Sequence, residues 1–131
     1  MTDRKVYTED EIKSLLSDAN VREFFENHVT GFNVTVLPVD VVHDEEAYHW
    51  LIRVENRSFG KWAVSDGFRQ YNREGEKGYE SLPSSRTDEF KQTFRHDLET
   101  AVSIAFKVAA TLKVSGYDAE KITAFIRSRS E

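Results

Sequence analysis

Cysteine is absent from the 131 residues. That excludes a disulfide scaffold, thiolate zinc sites, iron–sulfur clusters and a cysteine nucleophile. Proline occurs twice and glycine six times, too few for a collagen-like or low-complexity chain. No apolar run approaches the ~18 residues that a membrane span needs. Met1-Thr2-Asp3-Arg4-Lys5 leads into a polar stretch and not into the apolar core of a secretory signal. Thr2 stands where myristoylation requires glycine, and the C-terminus carries no prenylation cysteine. These absences predict a cytoplasmic protein without a membrane segment. What remains is ordinary for a folded chain: 39% hydrophobic and 31% charged residues, enough for one α+β domain over residues 1–131 that needs no metal to hold it.

Charge of one sign is also scarce in one place. Residues 1–46 hold 4 basic and 11 acidic side chains, whereas residues 47–131 hold 14 and 12. The formal charge of −5 argues against default nucleic-acid binding, because phosphate neutralisation supplies most non-specific affinity. The acidic third reads first as a solvated helical face with an acidic turn at Asp44-Glu45-Glu46. It reads second as a patch that meets a basic partner or mimics a nucleic-acid backbone.

Local signals predict the order of elements. Thr8 and Glu11 have capping-box spacing, and Tyr7 and Ile12 have the spacing of a hydrophobic staple. Ile12, Leu15 and Leu16 give that first helix its apolar stripe. Asn20 and Glu23 repeat the capping spacing and predict a second short helix, ending near His28. From Gly31 the period drops to two, with Phe32, Val34 and Val36 alternating with polar residues. Pro38 predicts a bulge or a sheet edge. Tyr48, Trp50, Ile52 and Val54 predict a strand with one apolar face, Lys61 to Ser65 a further strand, and Phe68 to Asn72 a short fourth. Residues 73–87 read as a long irregular loop, with Ser85 and Asp88 placed to cap the next helix. Phe90, Phe94, Leu98, Ala101, Val102, Ala105 and Val108 predict one helix from about Asp88 to Leu112. Gly116 suits a left-handed stop, Asp118 can cap a last short helix carrying Ile122, Phe125 and Ile126, and the end from Arg127 should fray. The expected fold is therefore α+β: two short N-terminal helices, an antiparallel meander of three to four strands, and one long and one short C-terminal helix. Helices should cover one sheet face and leave the other partly open.

Chemistry is harder to find. None of His28, His43, His49 and His96 lies three or four residues from another, so no helical metal pair exists. His43 and His49 flank a turn rich in carboxylates, where a metal site is conceivable and an exposed turn is simpler. His96 and Asp97 are adjacent and would point to different helix faces. Nucleophile-elbow and phosphate-loop patterns are missing. The sequence therefore predicts no catalytic residue, no metal and no cofactor.

One segment stands out. Residues 57–95 interleave Arg57, Lys61, Arg69, Arg73, Lys77, Arg86, Lys91 and Arg95 with Trp62, Phe68, Tyr71 and Tyr79, although six acids in the same segment leave it only +2. Basic and aromatic residues together suit base stacking with phosphate contact, and equally suit a protein interface. In the plainest reading Trp62 and Phe68 are core and the arginines are solvated. The partner-binding candidates are Trp62, Arg69, Tyr71, Arg73, Tyr79 and Arg86.

Within the same region Gly60-Lys61-Trp62-Ala63-Val64 is followed by Tyr79-Glu80, Pro83-Ser84-Ser85-Arg86 and Asp88. Arg95, then Asp97-Leu98-Glu99-Thr100-Ala101, then Val114 and Gly116 come after these. On these motifs residues 48–126 resemble small uncharacterised proteins of mycobacteriophages and related actinobacterial elements. The resemblance implies a setting and no activity: an accessory protein of a phage or prophage, acting in a bacterial cytoplasm by binding a host protein or countering a host defence. Two other occupants are expected alternatives, a second copy forming a homodimer and a nucleic acid held by the basic-aromatic surface.

Overall fold

The structure, a computed structural model, describes residues 8–58, 60–67, 69–79 and 88–129. The Tyr7 staple, Phe68, the Ser85 cap and Arg86 lie outside these residues.

Helix α1 (Glu9–Leu16) begins as its sequence predicts. The Thr8 hydroxyl accepts the Glu11 amide at 3.2 Å, and Glu11 Oε1 accepts the Thr8 amide at 3.2 Å. Helix α2 (Ala19–His28) starts earlier than the Asn20 spacing suggests. Asp18 is the cap, and its carboxylate accepts the amides of Asn20 and Val21. A carboxylate there also meets the positive end of the helix dipole, an advantage that Asn20 lacks.

Strand β1 (Gly31–Val34) is followed by turns, with Val36 and Val39 exposed. The strand expected from Tyr48 onward is shortened. Residues Glu45–Trp50 form a 3-10 helix capped by Asp44, whose carboxylate accepts the Glu46 amide at 2.9 Å. Three residues per turn put Ala47 and Trp50 on one side, and both are buried. Tyr48 is 63% exposed, so the alternation in the sequence does not place it beside Trp50.

Strands β2 (Ile52–Asn56), β3 (Trp62–Ser65), β4 (Arg69–Tyr71) and β5 (Lys77–Tyr79) complete the sheet. All five strands pair in sequence order, every pair antiparallel. The meander thus holds five strands and not three to four. The extra strand comes from the stretch expected to be a loop. Asn72 turns it: its side-chain oxygen accepts the amides of Glu74 and Glu76, and Gly75 takes a φ of +80°.

Cross-strand partners share a face. Phe32, Val54 and Val64 stand in one row, Val34 and Ile52 in the next. Helix α4 (Leu98–Thr111) lies on this face, with Leu98, Ala101, Val102 and Ala105 buried against the rows. Its alanines allow the close approach. The opposite face is not open at its centre, because Ala63, Ser65 and Gln70 are also buried.

The single long helix expected from Asp88 to Leu112 is two helices, α3 (Asp88–Phe94) and α4. With α5 (Ala119–Arg129) the C-terminal part holds three helices, not one long and one short. Residues 95–97 leave the helical path, and His96 pairs with Trp62 of β3. The reason is a shortage of partners, since the β3–β4 register covers only the Ser65 end. The backbone of Trp62 needs partners inside the protein, and His96 supplies them. Asp97 then caps α4 by accepting the Thr100 amide at 2.7 Å.

A second apolar cluster joins Leu37, Val41, Ala47 and Trp50 to Ile122 and Ile126 of α5. Arg127 binds Asp40 through two nitrogens at 2.8 and 2.9 Å, and Arg129 reaches Asp44 at 2.7 Å. The helix therefore continues through Arg129, where the sequence suggested fraying.

Candidate functional site

The partner-binding candidates separate when placed on this fold. Trp62 is fully buried, its ring 6.0 Å from Phe32. It is a core residue and has no surface to offer a partner. Tyr71 is 5% exposed, and its hydroxyl donates to Asp66 Oδ2 at 3.0 Å. Burial raises its pKa first, and the Asp66 charge raises it further, so it stays a neutral donor. Arg69 is half-buried and Arg73 is exposed in the β4–β5 turn. Tyr79 lies opposite Arg69 in the β4–β5 register, and its side chain lies outside the described residues, as does Arg86.

Arg69 and Tyr71 do meet at one place. They line a cleft of about 610 Å³ between the 3-10 helix, the two last strands and the end of α4. Tyr48 and His49 form one wall, and Lys77 and Lys113 come from β5 and from the residues after α4. Asp66, the carboxylate lining it, is held by two bonds: it accepts the Arg69 amide at 2.9 Å and the Tyr71 hydroxyl. Leu112 and Val114 add apolar lining. A broader hollow of about 680 Å³ lies at the end of α2. There Asn56 donates to the carbonyls of Glu26 and Val29, which is the work of ending a helix.

Exposed rings stand on the cleft wall, and on α5 and the turn before it. Tyr48 packs on His49 with 3.8 Å between ring centres. The neighbouring residue in the cleft lining, Val114, pairs its backbone with Tyr117. Tyr117 meets Phe125 edge to face at 6.0 Å, and the Arg129 guanidinium lies 5.6 Å from the Phe125 ring centre. Tyr117 and Phe125 are 40% and 42% exposed. The Trp50 indole donates to the Tyr117 carbonyl at 3.1 Å and ties the 3-10 helix to the turn before α5. The Asp40 and Asp44 ion pairs hold α5 from the other end. Their carboxyls lie below the usual range, Asp40 chiefly through Arg127 and Asp44 chiefly through the Glu46 amide and then Arg129.

Sequence reasoning missed Tyr117 and Phe125. Phe125 fits the apolar stripe of α5 by spacing, yet Ile122, Thr123 and Ile126 form the buried face. A signal was present in that Arg127 and Arg129 flank the stripe and need acidic partners from outside α5.

The histidines hold no common site. His28, His43 and His49 are exposed, whereas His96 is buried with Nε2 2.9 Å from the Tyr71 carbonyl. Among the described residues no three His, Cys, Asp or Glu side chains stand where they could hold one metal ion. Among the same residues no helix is long and apolar enough to cross a membrane. No family model, no curated protein and no solved structure matches the chain.

Proposed function

We propose that this chain is a non-catalytic accessory protein of a phage or prophage, acting in the cytoplasm of its bacterial host by binding a host protein. The contact surface is the ring series Tyr48, Tyr117 and Phe125. One observation carries this reading: three large aromatic side chains stay in water on elements that are otherwise firmly anchored. Burying a ring of this size stabilises a complex by roughly 1.5–3 kcal/mol, and rigid tyrosines lose little entropy on docking. Tyrosine and arginine are also the residues that most often anchor protein interfaces. The phage setting is supported by the motifs that run from Gly60 to Gly116.

The test is capture of partners from host lysate by the tagged chain, at low and high salt, with and without nuclease. One stoichiometric protein that survives both treatments, and that the Tyr117→Ala/Phe125→Ala variant fails to capture, is the expected result. A captured protein that ignores that variant contradicts the surface. Self-association of the pure chain that the same variant abolishes would make the occupant a second copy.

A further inference from the structure

We infer that the cleft between Tyr48 and Lys77 is a second site, which shares only Tyr48 with the ring series and takes a phosphate-bearing nucleotide unit. The chain is acidic overall, at −5, yet this cleft is lined by Arg69, Lys77 and Lys113 against the single carboxylate of Asp66. Both oxygens of that carboxylate already accept hydrogen bonds from the protein. The two lysines come from separate elements, β5 and the link after α4, so their convergence is not the by-product of one charged helix face. Neither makes an ion pair with another described residue. Two ammonium groups without counter-ions among those residues, at one opening, suit a doubly charged phosphate.

The rest of the cleft suits a planar base. Tyr48 is 63% exposed with one ring face against His49, which leaves the other face for stacking. Leu112 and Val114 give an apolar lining where the base would lie. A volume of about 610 Å³ falls in the range that small ligands fill. A neighbouring hollow of about 590 Å³ shares Tyr71, Lys77, Leu112 and Lys113 with the cleft and adds the carboxylate of Glu76. A free nucleotide and a single-stranded nucleic acid share this chemistry.

Titrations of the full chain with adenosine monophosphate, a short oligothymidylate and a polyglutamate peptide, monitored by amide chemical shifts, test the assignment. Shifts at residues 48, 77 and 113 are expected with one of the two nucleotide probes. The exposed pair Lys77→Ala/Lys113→Ala should weaken that binding at least about tenfold. Tyr48→Ala should weaken it and Tyr48→Phe should not, while Tyr117→Ala/Phe125→Ala leaves it unchanged. Saturation by the monophosphate assigns a free nucleotide. Much tighter binding of the oligothymidylate, falling steeply with salt, assigns a single strand. The proposal is overturned if neither nucleotide binds, if the lysine pair changes nothing, or if polyglutamate binds as tightly. The lysine pair leaves all three rings of the protein-binding surface in place, and Tyr117→Ala/Phe125→Ala leaves the cleft lining in place, so these two variants separate the sites; Tyr48 belongs to both.

Discussion

Trp62 and His96 exchange both backbone hydrogen bonds, Trp62 N–H to His96 O at 2.7 Å and His96 N–H to Trp62 O at 2.8 Å. The same histidine reaches the Tyr71 carbonyl through Nε2. One residue thus supplies an edge to β3, a side-chain donor to β4 and the break between α3 and α4. The geometry of the cleft depends on it, because Tyr71 is one of the cleft's own residues.

His96 should make stability fall with acid. Burial is the larger influence and lowers its pKa from the ordinary 6.5; the Tyr71 carbonyl opposes this, and the charge of Arg73 adds to it. Below 6.5 the unfolded chain therefore binds a proton that the folded chain resists. Stability is fully present above that pH and is lost as pH drops toward the lowered folded value. Urea midpoints measured across pH 7 to 5 should decline, and His96→Gln should flatten that decline. Asp97 acts in a separate window. The Thr100 amide lowers its pKa first, so its contribution is lost only as pH falls below about 3.9.

Asp97→Ala should destabilise the chain by about 0.5–2 kcal/mol, since it removes the cap of α4. Asp97→Asn should recover most of the loss. Urea denaturation of the three proteins at neutral pH gives the comparison.

Leu98→Ala should cost more, about 2–5 kcal/mol, because Leu98 is 2% exposed beneath the sheet and would leave a cavity. Far-UV signal and denaturation midpoint should show a folded chain of reduced stability. A loss below about 1 kcal/mol would mean that α4 does not pack on β2 and β3 as described.

Gly31→Ala should also destabilise. A Cβ there would stand 2.6 Å from the Arg53 Nη2 and 2.9 Å from the Val54 carbonyl oxygen. The guanidinium can move aside and the backbone oxygen cannot, so a cost of about 1–3 kcal/mol is expected. Calorimetric melting of the single variant measures it.

The readable parts of the fold were those set by local chemistry. The Thr8–Glu11 box and the two-residue period at Phe32 and Val34 need only near neighbours in sequence, and both stand in the structure. Gly116 is left-handed as its type suggests, but in the Val114–Tyr117 turn and not as the stop of α4, which ends at Thr111 with an extended Leu112. The break at His96 was hidden for a physical reason. A three-residue interruption leaves Phe94, Leu98 and Ala101 at helical spacing, and the cause of the break is an unpaired edge of β3 far away in sequence. Strand β5 was hidden because its turn rests on Asn72 and Gly75 inside a charged stretch that reads as a loop. For the site, Arg69 and Tyr71 were visible as a basic-aromatic pair. Lys77 belonged to the same basic-aromatic segment, whereas their other cleft partners Tyr48 and Lys113 come from separate segments, which no spacing rule connects. Trp62 looked like an anchor because an indole has the same side chain in a core as at an interface.

The most direct measurement is the affinity of the captured host protein for the native chain and for the Tyr117→Ala/Phe125→Ala variant, each at two salt concentrations. An interface anchored on exposed rings predicts a loss of more than about tenfold in the variant, with little dependence on salt for the native pair. Equal affinity of the two chains, or native binding that collapses in high salt, would contradict the aromatic surface as the seat of function.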